Sequence, residues 1–261
     1  MSVFTRVCIL CFVFFATTIH AQSLKPGFDA DEYIGVLQRC TRQVDAAYRG
    51  KLPKDVNYTR VYRSPAQGLH NKYDVWLNKE KTIITINLRG TTSDMDSWLE
   101  NFYSAMIPAT GTLQLTKNYT FHYKFANDPK ALVHTGWTTG IGAMAPDIVD
   151  KLQYWYAQGV KQVIIEGHSQ GGALAYLLTS YLYYLKADGG LPADLVMKTY
   201  CSAAPKPGNL YYAYDYEHIT ASGWGLSVVN AADWVPETPF VVQTVRDMNN
   251  INPFVHGKEY L

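Results

Sequence analysis

The run Val163-Ile164-Ile165-Glu166-Gly167-His168-Ser169-Gln170-Gly171-Gly172-Ala173-Leu174 constrains this chain more than any other. A β-branched apolar stretch passes through three glycines into an apolar stretch of helix formers, which predicts a buried strand, a tight turn and a helix. Glycines on either side of the turn let strand and helix approach more closely than any Cβ would permit. A serine at the tip of such a turn points its hydroxyl outward at the carboxyl edge of a parallel sheet. The amide of the next residue, at the helix N-terminus, faces any negative charge that develops there. Ser169 is therefore the candidate nucleophile and Gln170 a candidate oxyanion donor. A glycine-rich turn that caps a helix or cradles a phosphate is the plainer reading of the same residues, and the strand-turn-helix setting weighs against it.

The remaining pattern supplies the sheet. Residues 29–50 have helical spacing through Ile34, Leu37, Val44 and Tyr48, with Gly50 as the stop, and should pack on a sheet. Segments 73–77 and 82–88, joined by Asn78-Lys79-Glu80-Lys81, predict an antiparallel hairpin. Then helix 145–158, strand 162–166, helix 172–185, strand 195–201 and strand 226–229 alternate. Alternation predicts an α/β fold with a mostly parallel central sheet and helices on both faces. No repeat, low-complexity tract or linker divides residues 22–261, so one domain is expected.

Composition narrows the function. With 48% hydrophobic and 17% charged residues the chain is an ordinary globular one, and a net charge of +1 gives it no field to attract nucleic acid. Residues 1–21 read as an export signal: Arg6, an apolar run from Val7 to Ile19, and a cleavage point after Ala21. The expected product is secreted or periplasmic, and the apolar run is shorter than the ~18–20 residues of a transmembrane anchor. Removal of the signal leaves Cys40 and Cys201, for which a disulfide and two isolated thiols both stand. Neither has metal-ligand spacing, and no metal or organic cofactor is expected.

Beyond the serine turn, four further segments occur in order: Asn87-Leu88-Arg89-Gly90-Thr91, Val133-His134-Thr135-Gly136-Trp137, Ala204-Pro205-Lys206-Pro207-Gly208-Asn209, and Asn230-Ala231-Ala232-Asp233-Trp234-Val235-Pro236. Together with Gly167 to Gly172 they resemble the class 3, or fungal-type, triacylglycerol lipases, over roughly residues 73–239. The resemblance implies an α/β-hydrolase fold and a Ser-His-Asp triad. It also implies that Thr91 is the second oxyanion donor, in keeping with its place after a glycine just beyond a strand. Asp233 stands after a strand and after the serine in chain order, as the carboxylate that orients the base. The plainer readings are a loop threonine and an aspartate capping a turn before Pro236.

Chain order points to His256 as the base, since it is the only histidine after Asp233. The family's catalytic histidine lies well past the Val-Pro segment, so a histidine beyond Leu261, in a chain truncated at its C-terminus, stands as the alternative. His134 and His168 read as structural, and His70, His122 and His218 have no motif around them. Residues 93–108, with Met95, Trp98, Leu99, Phe102 and Tyr103, form an amphipathic stretch where the family carries a lid, and a core helix fits the same periodicity. The tyrosines at 181, 183 and 184 and in 211–216 read first as packing and second as an acyl cleft.

The chemistry expected from these residues is hydrolysis of carboxylic esters through an acyl-enzyme. The partner would be a small-molecule or lipid ester, met at a lipid–water interface. Phospholipase A1, feruloyl or acetyl esterase and thioesterase activities use the same parts, and a non-catalytic hydrolase-like binding protein is the rival of another class.

Overall fold

The computed structural model describes residues 23–43 and 55–238. The signal assigned to 1–21, the latter part of the helix expected over 29–50, and His256 lie outside these residues.

Six strands form the central sheet in the order β1-β2-β3-β8-β9-β10. β1 (Tyr58–Arg63) pairs antiparallel with β2 (Tyr73–Asn78), and β2 pairs antiparallel with β3 (Ile83–Leu88). β3 then runs parallel to β8 (Gln162–His168), and β9 (Val196–Ser202) and β10 (Gly225–Val228) continue in parallel. Between β3 and β8 the chain makes helix α2 (Met95–Phe102), strand β4 (Met106–Pro108), hairpin β5–β6 (Thr110–Thr116, Tyr119–Lys124), strand β7 (Leu132–His134) and helix α3 (Thr135–Ala157). Helices α4 (Gln170–Ala187) and α5 (Leu210–Ile219) follow β8 and β9.

Alternation along β8 divides the core. Val163 and Ile165 point to the larger cluster, shared with Leu174 and Leu178 of α4 and with Met144 and Ile148 of α3. Ile164 points to the other face, where it joins Ile83, Tyr200 and Val36 beneath α1 (Ala30–Thr41). Both faces of the sheet are thus covered, which is why β2 and β3 are buried at every position while the edge strand β1 is not. No helix among the described residues is long and apolar enough to cross a membrane. Cys40 and Cys201 are free thiols, so they do not form a bridge.

Two helices differ from their sequence expectation. α1, capped by the Asp29 carboxylate on the Glu32 amide at 2.9 Å, buries Val36 and Arg39 and leaves Ile34 and Leu37 exposed. Its inward face is set by a buried arginine, which apolar periodicity places outside. α3 begins at Thr135, ten residues before the expected start, and Pro146 sits inside it. Gly136, Gly140 and Gly142 lower the helix propensity of its first turns, which apolar spacing from residue 145 therefore did not reach.

Candidate active site

Ser169 sits between the end of β8 and the start of α4 with φ 58° and ψ −128°, a backbone conformation that costs a non-glycine residue about 1–3 kcal/mol. The turn is clamped: the Ser169 amide donates to the Ser202 carbonyl at 2.9 Å, and the Gly172 amide donates to the Ser169 carbonyl at 2.8 Å. Close approach makes two glycines necessary. A Cβ on Gly167 would lie 2.1 Å from the Gly171 carbonyl oxygen, and one on Gly171 would lie 2.4 Å from that of Leu88. β3 is therefore pressed against the turn, in the register that pairs Leu88 with Gly167.

That register brings Thr91, three residues beyond Leu88, to the same cavity as Ser169. The cavity has a volume of about 840 Å³ and is lined also by Leu37, Cys40, Leu88 and His168. As the first residue of α4, Gln170 has an amide with no acceptor inside the helix. Its side chain is buried, and its Oε1 accepts from the Ser97 hydroxyl at 3.4 Å. The structure thus collects Ser169, Gln170 and Thr91 at one sheet edge.

Asp233 follows β10 in a turn closed by its own amide on the Asn230 carbonyl at 2.9 Å. Its Oδ1 accepts from the Val235 amide at 3.0 Å, just ahead of the short helix Val235–Glu237. Asp233 is close enough to His168 for its charge to act there: burial lowers the His168 pKa, and the Asp233 carboxylate opposes the shift. His168 Nδ1 lies 3.1 Å from the Ser202 hydroxyl, which in turn meets the Tyr33 hydroxyl at 2.6 Å. His134 is structural, as expected. Its Nδ1 accepts from the Trp137 amide at 3.3 Å, so Nε2 carries the proton toward the Asn101 carbonyl at 3.1 Å. Burial drives its pKa down to about 4, and the neutral ring stacks on Trp137 with centroids 3.8 Å apart.

α2 is inverted relative to a core helix. Met95, Trp98, Leu99 and Phe102 are 80%, 47%, 55% and 71% exposed, while Ser97 and Glu100 are buried. Its polar underside grips the Thr91 loop: Asn101 Nδ2 donates to Thr91 Oγ1 at 2.8 Å, and the Thr92 amide donates to Ser97 Oγ at 3.1 Å. Sequence reasoning missed Ser97, Glu100 and Asn101, although their spacing of three and one marks a polar stripe opposite the apolar one.

It also missed the ion pair beneath the serine turn. Arg39 donates twice to Glu166, from Nε and Nη2, each at 2.8 Å, and once to Asp55 at 2.6 Å. Asn87 of β3 adds a bond to Glu166 at 2.8 Å, so one carboxylate ties together the two strands that lead to Ser169 and Thr91. Burial pushes Glu166 toward its acid form, and Arg39 and Asn87 pull it back. Two short bonds from an always-charged guanidinium hold it as the carboxylate at neutral pH.

Solved structures with the same fold include a triacylglycerol lipase from Penicillium expansum, 21% identical, with a TM-score of 0.56, the match covering 81% of this chain and 75% of that one. A Rhizomucor miehei lipase–propeptide complex is 18% identical, with a TM-score of 0.54 and coverage of 82% and 65%. A triacylglycerol lipase whose catalytic centre is described as a serine protease triad is 17% identical, with a TM-score of 0.56 and coverage of 80% and 74%. No curated protein matches the chain by sequence. The family model for lipase (class 3) matches residues 85–243, which include Thr91, Ser169, Gln170 and Asp233, and the chain belongs to that family of carboxylic ester hydrolases.

Proposed function

We propose that this class 3 lipase cleaves acyl glycerols at a lipid–water interface through an acyl-enzyme on Ser169. The strained turn carries the proposal: a φ of 58° at a serine, held between glycines that no larger residue could replace, has no use in a merely structural bend. Ser169 Oγ attacks the ester carbonyl, and a histidine oriented by Asp233 takes its proton and passes it to the leaving alkoxide. The amides of Thr91 and Gln170 receive the oxyanion, each donor being worth about 3–4 kcal/mol in the transition state. Water then releases the acyl group by the reverse sequence. His256 is the base that chain order supplies.

Acyl glycerols lead among substrates because solved proteins of the same fold are triacylglycerol lipases, and one was described as a model for interfacial activation. The exposed apolar face of α2, beside the cavity, fits adsorption to lipid. Export belongs to the same proposal. Secreted material that begins at Gln22 would support it, and cell-retained protein starting at Met1 would not.

The test is fluorophosphonate labelling of wild type and Ser169→Ala, with p-nitrophenyl ester turnover by both and by His256→Ala. Labelling and turnover that require Ser169 and His256 are expected. Labelling that survives Ser169→Ala refutes the nucleophile, and full turnover by His256→Ala moves the base elsewhere.

A further inference from the structure

We propose that Glu100, as the uncharged carboxylic acid, is a positioning residue for the oxyanion hole: it seats α2 on α3 so that Ser97 and Asn101 hold the Thr91 loop and Gln170. This rests on the assignment of Thr91 and Gln170 as oxyanion donors.

The seat is built for a carboxyl group and little else. Glu100 is fully buried, and its Oε2 accepts from the amide of the buried Asn71 at 2.7 Å. Its Oε1 has no hydrogen-bond partner among the described residues. The first two turns of α3 form the floor. A Cβ on Gly140 would lie 2.3 Å from Glu100 Oε1, and one on Gly136 would lie 2.1 Å from the Glu100 carbonyl oxygen. Helix backbone therefore lies directly on helix backbone, with the Glu100 side chain in the gap that Gly140 leaves.

Among the described residues, no cation faces that gap. On the loop before β2, His70 is turned to the outer end of α2, 3.5 Å from both Asp94 and Asp96, which are themselves exposed. At the start of α3, His134 is neutral and has both ring nitrogens engaged. Farther along α3, Asp147 is held by Tyr62, Tyr73 and Lys151. The contrast with Glu166 is direct: that carboxylate takes three bonds, two from a guanidinium, whereas Glu100 takes one from a neutral amide. Burial raises the Glu100 pKa to about 8, and the Asn71 bond opposes it.

Ionisation in such a seat favours any arrangement that lets water reach the carboxylate. α2 must lift to give it, and Asn101 moves with it. Asn101 is fixed by the Trp137 indole on its Oδ1 at 3.0 Å, by the His134 ring on its carbonyl, and through its own amide by Thr91. Ser97, one turn earlier, carries the Thr92 amide and the bond to Gln170. Lifting α2 therefore releases both sides of the oxyanion hole at once. Glu100 touches no reacting atom and acts through these two residues.

The sign follows from the raised pKa: the docked helix keeps a proton that the lifted one gives up, so the proton's support for docking is whole below the ordinary carboxylate pKa, weakens as pH rises and is exhausted by about pH 8. Two measurements on the full chain test it. In wild type, kcat for a dissolved short-chain p-nitrophenyl ester should fall, by at most about tenfold per pH unit, as pH rises toward that point and level off beyond it, with little change in KM, and Glu100→Gln, which cannot ionise, should abolish this alkaline limb. In Ser169→Ala protein, hydrogen exchange across α2, corrected for intrinsic rate, should accelerate over the same pH range and stay slow in the Ser169→Ala, Glu100→Gln double variant. Exchange is read without turnover, so an error in the nucleophile assignment leaves this arm intact. Flat α2 protection from pH 6 to 9.5 in a protein that carries Glu100 overturns the proposal, even where Glu100→Gln does not fold. So does an alkaline limb that persists unchanged in Glu100→Gln.

Discussion

Replacing Arg39 with methionine isolates the charge that the buried pair beneath the serine turn must balance. Methionine keeps most of the volume of the arginine stem, so packing is largely preserved. What is lost is the guanidinium: Glu166, 0% exposed, keeps only the Asn87 amide of its three donors, and Asp55 loses its partner. Removing one member of a buried pair costs about 3–5 kcal/mol, against a total domain stability of about 5–15 kcal/mol. The cost is titratable, because without Arg39 the carboxylate can shed its charge by taking a proton. The folded pKa of Glu166 in Arg39→Met then lies well above the unfolded value, and the folded state binds the extra proton. The deficit is accordingly near its minimum at and below the unfolded carboxylate pKa, and grows by about 1.4 kcal/mol per pH unit as pH rises toward the folded one. Urea unfolding followed by tryptophan fluorescence should show a deficit at pH 8 exceeding that at pH 5 by about 3 kcal/mol. Arg39→Met with Glu166→Leu and Asp55→Asn removes all three charges and should recover all but about 2 kcal/mol, the residue of an unpaired Asn87 amide. A cost below about 1 kcal/mol at pH 8, or the same cost at both pH values, would refute the view that Glu166 is held as a carboxylate by Arg39.

Gly171→Ala places a Cβ 2.4 Å from a backbone oxygen of the neighbouring strand and should cost more than about 3 kcal/mol in thermal unfolding. Gly189→Ala, at φ +82° with nothing within 4 Å, should cost only about 1 kcal/mol, and the reverse order would count against the steric account. Asn101→Ala frees the Thr91 hydroxyl and leaves the Trp137 indole without its acceptor; kcat on a dissolved ester should fall about tenfold or more with KM nearly constant, whereas a pure KM rise would place Asn101 in binding instead. Aspartate at both Trp98 and Phe102, which stack at 5.9 Å on the outer face of α2, should lower adsorption to a lipid monolayer far more than turnover of a dissolved ester; equal losses would assign that face to the fold.

The serine turn was legible because sterics leave few sequences that can make it. Strand β8, the turn and α4 were read within two residues of their observed limits, and the hairpin β2–β3 within one. Elsewhere the residues that misled are those whose environment breaks a rule of periodicity. Arg39 counts as solvent-facing until Glu166, distant in sequence, neutralises it, so the buried face of α1 was assigned to Ile34 and Leu37. The glycines at the start of α3 count as helix breakers until α2 is laid on them. For α2 the pattern stated that two faces differ in polarity and left open which one meets the protein. Periodicity is unchanged when a helix is turned inside out, and only the partners of Ser97, Glu100 and Asn101 decide it.

That inversion has an energetic consequence under the proposal that the protein meets lipid. The underside of α2 is held by about six hydrogen bonds, each contributing about 0.5–1.5 kcal/mol net, so docking is worth on the order of 6 kcal/mol before strain and entropy are charged against it. The outer face offers Met95, Trp98, Leu99 and Phe102, half to four-fifths exposed, and full burial of such side chains is worth about 1.5–3 kcal/mol each. The two sums are of the same size. A lipid surface that buries the outer face can therefore compete with the bonds beneath it, which a fully apolar underside or a polar outer face would not allow. Because the bonds that yield are those of Ser97 and Asn101, any such movement passes directly to Thr91 and Gln170, and under the proposed function adsorption and oxyanion geometry are coupled through one helix.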